Sequence, residues 1–346
     1  MEMMNQKLPS GDIEKIRHLE KIRERNNKFS WLLFDYLNDT PCLITKELME
    51  SVSGGGLLPE ESAYIALLTG FCGLNSEPGN ADRIIADEYF RQSVKKLDAE
   101  TYRENPYYKD IRIPEVKFCN CELKYEEYDP FEAFIFKEPI LENNFKEIPQ
   151  IGFFSEPFHF PCVMENNHEW MAIKPNEIET IQPVLDLIYG NVVTFGLGLG
   201  YFAYMASLKE NVRKIVVVEH NPEVIQLFEK FILPQFTLKE KVEIVECDAF
   251  EFIMKQLPQR NFDCAFVDLW HDVSDGLDIY LRIKRLECLN NQTRFHYWIE
   301  DTLLSALRWQ LFDWVINNAN SHDEITTRLG NSFLRKLATT TPAKNE

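Results

Sequence analysis

Two hydrophobic periods divide this chain. From Asp12 to about Lys96, apolar residues such as Leu19, Ile22, Ile84, Ile85, Tyr89, Phe90 and Val94 recur at three- and four-residue spacings, which predicts amphipathic helices. Gly54-Gly55-Gly56 interrupts them; with no Gly-Lys-Ser/Thr ending it reads as a flexible turn, not a phosphate loop. Beyond Pro106 and Pro114 the texture changes. Lys117 to Tyr125, Phe131 to Phe136, Ile151 to Phe154 and Trp170 to Ile173 are short, aromatic runs between Asp-Pro, Glu-Pro and Asn-Asn breaks, which predicts strands of a small sheet.

From Pro175 onward strands and helices alternate. A helix through Ile181, Leu185 and Ile188 leads into a first strand, Asn191 to Phe195, and a second strand, Val216-Val217-Val218, ends on Glu219. Asn221 reads as an N-cap with Pro222 at the first helical position, and Val224, Leu227, Phe228 and Phe231 form a buried stripe. Val242 to Val245 is a third strand, Ala249 to Gln256 a helix, Asp263 to Val267 a fourth strand, Gly276 to Leu289 a helix and Arg294 to Ile299 a fifth strand. Leu303 to Ile316 is helical in texture, leaving little chain for sixth and seventh strands. Such alternation implies a parallel sheet with right-handed crossovers. The expected fold is α/β: a Rossmann-like parallel sheet in the order 3-2-1-4-5 over residues 175–346, after a helical region (1–110) and a small β-rich subdomain (111–174).

A formal net charge of −18 and a pI near 4.9 repel phosphate backbones, and no basic run offsets them, so nucleic acid is not an expected partner. A small molecule or a protein is the expected substrate. The eight cysteines are scattered, with Cys247 and Cys264 in strands, which suits reduced thiols in a cytoplasm better than a disulfide framework. Cys119-Asn120-Cys121 is too isolated to read as a metal site. The polar run from Met1 to Asp12 shows no signal peptide, and no long uncharged apolar run could span a bilayer.

The densest chemistry follows the first strand of the alternating half. Gly196-Leu197-Gly198-Leu199-Gly200-Tyr201 makes a strand, glycine turn and helix, and Glu219 follows at about the spacing that brings a carboxylate to ribose hydroxyls, roughly twenty residues on. Dinucleotide folds place a glycine where Tyr201 stands. The G-x-G-x-G phasing, joined to Glu219, Asp248 and Asp268 at successive strand ends, resembles the class I S-adenosylmethionine-dependent methyltransferases over roughly residues 175–300.

That resemblance implies S-adenosylmethionine as cofactor. Gly196, Leu197, Gly198, Gly200 and Tyr201 would form the turn whose free amides meet the ligand carboxylate. Glu219 would grip the ribose, His220 would follow it against the adenosine, and Asp248, Ala249 and Phe250 would meet the adenine. Asp268, shared between cofactor and chemistry, would lie near the reacting end, with His271 and Asp272 as further catalytic candidates and Trp270 as a pocket wall. No Asn/Asp-Pro-Pro-Tyr motif follows the fourth strand. The run from Val245 to Phe252, with Asp263 and Asp268, also resembles the polyamine aminopropyltransferases. Their Asp-Ser-Ser-Asp-Pro is replaced here by Asp268-Leu269-Trp270-His271-Asp272, and their glycine-turn acid by Leu199. Asp268 with Glu300-Asp301 imitates the oxygen-ligand set of metal-dependent O-methyltransferases, although Thr302 replaces their asparagine. A non-catalytic S-adenosylmethionine-binding protein with an interaction module at its amino end is the third alternative.

Overall fold

In the computed structural model the described residues are 10–317, apart from positions 55, 76, 78, 81, 119, 166 and 167. Helix α1 (Ser10–Asp39) turns Phe29, Leu33 and Tyr36 inward, at the four- and three-residue spacing of one helical face. The Thr45 hydroxyl caps α2 (Lys46–Ser53), which stops at Gly54 in the left-handed region, φ 58°. The helices α3 (Glu60–Phe71), α4 (Asp82–Ile85) and α5 (Arg91–Ser93) follow, the last two joined by a π-turn, Ala86–Phe90. The helical reading of Val94 is corrected: β1 (Val94–Lys96) runs parallel to Ile151–Phe153. The three-residue period persists locally, but the backbone groups there find partners on a strand distant in sequence, and pairing outweighs the local pattern.

Asp98 and Asn105 side chains cap two short helices, α6 (Ala99–Arg103) and α7 (Pro106–Asp110). Six strands come next: β2 (Val116–Phe118), β3 (Cys121–Tyr128), β4 (Phe134–Leu141), β5 (Glu147–Phe153), β6 (Phe158–Glu165) and β7 (His168–Ala172). They belong to two sheets, β1-β5-β4 and β2-β3-β6-β7, where the sequence pattern suggests one. Strand β6, which carries the long antiparallel register with β3, escaped the sequence reading, and Phe131 sits in a turn at φ 65° instead of opening a strand. Pro161 inside β6 masks its strand character in sequence.

The second half begins with α8 (Pro175–Leu187), β8 (Gly190–Phe195), α9 (Tyr201–Ser207), β9 (Val212–Glu219), α10 (Pro222–Phe231) and β10 (Val242–Glu246). It continues through α11 (Ala249–Glu251) and its π-turn extension Phe252–Gln256, then β11 (Cys264–Val267), α12 (Val273–Leu286), β12 (Arg294–Tyr297) and α13 (Glu300–Asn317). The five strands form an all-parallel sheet ordered β10-β9-β8-β11-β12. Both faces of its centre are covered, so β8 and β9 read as continuous apolar runs. Val192, Ile215 and Val217 pack with Phe202, Val224 and Phe228 on one side. Val193, Phe195, Val216 and Val218 pack with Phe252, Tyr280 and Leu303 on the other. Residues 318–346 and Cys119 lie outside the described residues, so the expectations about further strands and about the Cys119-Asn120-Cys121 pair fall there. No described helix is long and apolar enough to cross a membrane.

The helical and β-rich regions hold the end of the parallel sheet where its glycine turn lies. The fully buried Tyr107 donates its hydroxyl to the Leu199 carbonyl at 2.6 Å, and Asn105 Nδ2 donates to the Tyr201 hydroxyl at 3.0 Å. Tyr204 bonds Asp110, and Tyr108 donates to the Ile173 carbonyl at 2.5 Å. Replacing Tyr107 by Phe strands a buried carbonyl inside the turn. Tyr107→Phe is expected to lower the unfolding free energy by about 1–3 kcal/mol, measured by urea denaturation; an unchanged midpoint would show that the turn does not depend on this bond.

Candidate functional site

A cavity of about 540 Å³ opens beyond the carboxyl ends of β8, β9 and β11, where the sheet's strand order reverses. Such crevices are the ligand sites of open parallel sheets. Gly196, Leu197 and Gly198 form its floor. The turn needs glycine for two reasons. Gly196, Gly198 and Gly200 have φ of 100°, 51° and 75°, in the region other residues rarely adopt. Each is also crowded: an added Cβ would lie 2.1 Å from the Asp268 carbonyl oxygen, 2.0 Å from Met171 Sδ and 2.2 Å from Phe228 Cε2, respectively. Gly200 serves as N-cap of α9 and, with the buried Tyr201, stands behind the cavity wall.

Glu219 ends β9 at 7 % exposure and lines the cavity. Its carboxylate accepts backbone N–H groups from Leu197 at 3.3 Å and from His220 and Asn221 at 2.8 Å each. It thereby ties the glycine turn to the start of α10 while holding negative charge at the floor. His220 is mostly exposed at the rim, its Nδ1 3.1 Å from Glu219. Met171 Sδ accepts the Leu199 N–H at 3.2 Å, so a thioether stands over the glycine turn.

Beside this floor lies a pair of carboxyls. Asp268 follows β11 and lines the cavity; Glu177, in the first turn of α8, lines it too. Sequence reasoning missed Glu177, because α8 precedes the glycine motif and nothing local marks its first turn as facing a ligand. Glu177 Oε1 is buried with no hydrogen-bond partner. Burial raises the Glu177 carboxyl well above the ordinary range, and the Asp268 charge raises it further. Burial likewise pushes Asp268 up to about 7, with His271 pulling the other way. Trp170, Trp270 and Trp298 wall the space. Trp270 packs flat on Gly276, where a Cβ would meet its ring at 2.6 Å, and Trp298 is oriented by a 2.8 Å bond to the Thr180 hydroxyl.

Several sequence candidates lie elsewhere. Asp248, Ala249 and Phe250 do not line the cavity: the Asp248 carboxylate caps α11 by accepting the Glu251 N–H at 2.9 Å, Ala249 is buried, and Phe250 lies under the Arg282 guanidinium at 4.2 Å. Asp272 is also outside, as the N-cap of α12, where it forms a reciprocal capping box with Asp275. His271 lines the rim at 68 % side-chain exposure, its Nδ1 3.1 Å from Asp275. Glu300 is engaged by Lys284 at 3.0 Å and by the Tyr280 hydroxyl at 2.7 Å; neither it nor Asp301 reaches the cavity, so no oxygen-ligand set with Asp268 is assembled among the described residues. Neither the protein-family models nor the curated proteins compared with the sequence match it.

The carboxyl pair has a consequence for stability. A carboxyl whose folded value is raised favours the native state while protonated, and that contribution is lost as pH rises from the unfolded value through the folded one. For Asp268 the window runs from 3.8 to about 7. Thermal unfolding of the native chain should therefore lose midpoint as pH climbs through this window, and Asp268→Asn should flatten the slope. A slope identical in the variant would detach the pH dependence from this site.

Proposed function

We propose that the chain is an S-adenosylmethionine-dependent methyltransferase acting on a small-molecule or protein acceptor. The observation that carries the reading is the meeting of the glycine turn, Glu219 and Asp268 on one cavity at the ends of β8, β9 and β11. Charge supports the choice of ligand. Glu169, Glu177, Glu219 and Asp268 line the cavity, and no lysine or arginine does so among the described residues. A dinucleotide pyrophosphate would face these carboxylates unpaired, whereas a sulfonium cation with an aromatic wall of three tryptophans is electrostatically matched.

Glu219 would take the ribose hydroxyls, and the floor of the turn would take the aminoacyl end. For a ligand carboxylate to reach the Leu199 amide, the Met171 thioether moves aside. The group that takes the acceptor's proton is Asp268. It stands inside the cavity with a pKa of about 7, suited to a base at neutral pH, whereas His271 stands at the rim, held by Asp275.

Calorimetry with S-adenosylhomocysteine should show binding to the native chain, and Glu219→Gln should weaken it at least tenfold by removing the charged acceptor. Binding of NADH with no heat from S-adenosylhomocysteine would overturn the assignment. With an acceptor in hand, Asp268→Asn should lower kcat by roughly 10²-fold or more while His271→Ala changes it little. The reverse ranking would return the base to His271.

A further inference from the structure

Resting on the methyl-transfer reading, we propose that the acceptor is an alkylamine that enters as its ammonium ion and is held by the Glu177 and Asp268 carboxyls. Glu177 lines the cavity, and the buried Oε1 of its carboxyl is bonded to nothing. A buried polar atom in that state costs free energy unless a ligand group or proton satisfies it. In its ionised form the carboxyl only accepts, so the partner it then lacks is a hydrogen-bond donor.

The other polar groups around the cavity leave no internal donor of positive charge for it. Glu169 is taken by Lys174 at 2.6 Å, and Lys174 itself does not line the cavity. Glu219 is anchored by three backbone N–H groups. His220 and His271 are at the rim, each beside its own carboxylate. Two like-charged carboxyls in one apolar-walled space are stable in two ways: sharing a proton, or flanking a cation. An ammonium carries three donors on a compact charge, enough to bond both carboxyls and stand beside the tryptophan faces. A carboxylate or phosphate acceptor would meet four acids, and a neutral hydroxyl would leave the pair's charge unbalanced.

The reaction then balances within the site. The bound ammonium gives one proton to the Asp268 carboxylate. The freed nitrogen lone pair forms a bond to the methyl carbon while the carbon–sulfur bond breaks, its electron pair returning to sulfur. The products are a methylammonium, the thioether S-adenosylhomocysteine and a protonated Asp268 that later releases its proton to solvent.

The test compares n-butylamine with n-butanol, nearly equal in shape and differing in charge, by calorimetry on the full chain at pH 7. Millimolar-range binding of the amine and none of the alcohol is expected. Because the ammonium displaces the proton held by the pair, the measured heat should differ between two buffers of different ionisation enthalpy, reporting proton release. Glu177→Gln and Asp268→Asn should each weaken the amine at least tenfold and remove most of the release. The isosteric variants are checked by their unfolding midpoints, and the buffer dependence of the native chain stands whether or not they fold. Turnover is read as S-adenosylhomocysteine formed from S-adenosylmethionine with n-butylamine as acceptor. Binding of S-adenosylhomocysteine without binding of the amine, or amine binding unchanged in Glu177→Gln, would overturn the proposal and leave the cofactor reading standing. Amine binding with proton release but no affinity for S-adenosylhomocysteine would overturn the cofactor reading and keep the ammonium site.

Discussion

The turn from Gly196 to Gly200 is the point on which the packing of this molecule converges. Three glycines lie in left-handed conformations, and each is pressed by a neighbour from a different part of the chain: the Asp268 backbone after β11, Met171 on β7 and Phe228 on α10. A side chain at Gly196 or Gly200 would have to displace backbone or a buried ring. The turn's carbonyl at Leu199 is in turn held by Tyr107 from α7. Strand, crossover helix, β-rich region and helical region therefore meet at five residues, and backbone without Cβ atoms is what lets them approach so closely.

Electrostatics follows from that convergence. Bringing β9 and β11 to either side of β8 puts Glu219 and Asp268 at the ends of the two strands that flank it, and α8 adds Glu177. The Glu219 carboxylate accepts three backbone N–H groups. Glu177 and Asp268 sit in burial that resists ionisation, and the Asp268 charge raises the cost further for Glu177. The two kinds of carboxylate thus have different chemical characters in one cavity. One is tied to backbone N–H groups, and burial holds the other two above the ordinary carboxylate range.

The helical and β-rich regions do more than flank the sheet. Strand β7 supplies Glu169, Trp170 and Met171 to the cavity wall, and α13 returns from the sheet to bond Glu138 of β4 through Thr302 and Glu147 of β5 through Ser305 and Trp309. Because one wall comes from β7, the shape of the cavity belongs to the β-rich region as well as to the parallel sheet.

The parallel sheet was legible in sequence because its signals are local. Buried strands such as Val216-Val217-Val218 must be apolar on both faces, helix starts such as Asn221-Pro222 carry their own caps, and positive φ demands glycine at Gly196, Gly198 and Gly200. The strand-end acids Glu219 and Asp268 could be read from the same register, since a residue just past a strand is placed by the strand. Tertiary structure decided what register does not reach. Val94 became a strand because its partners lie near Ile151, and β6 formed around a proline because β3 and β7 flank it. Asp248 and Asp272 share the residue type and position of site acids, yet each satisfies the free N–H groups of its own helix instead. Glu177 was invisible for the opposite reason. Its local sequence describes only the first turn of a helix, and it faces the cavity only because α8, packed on β4 and α9, brings that turn near Asp268.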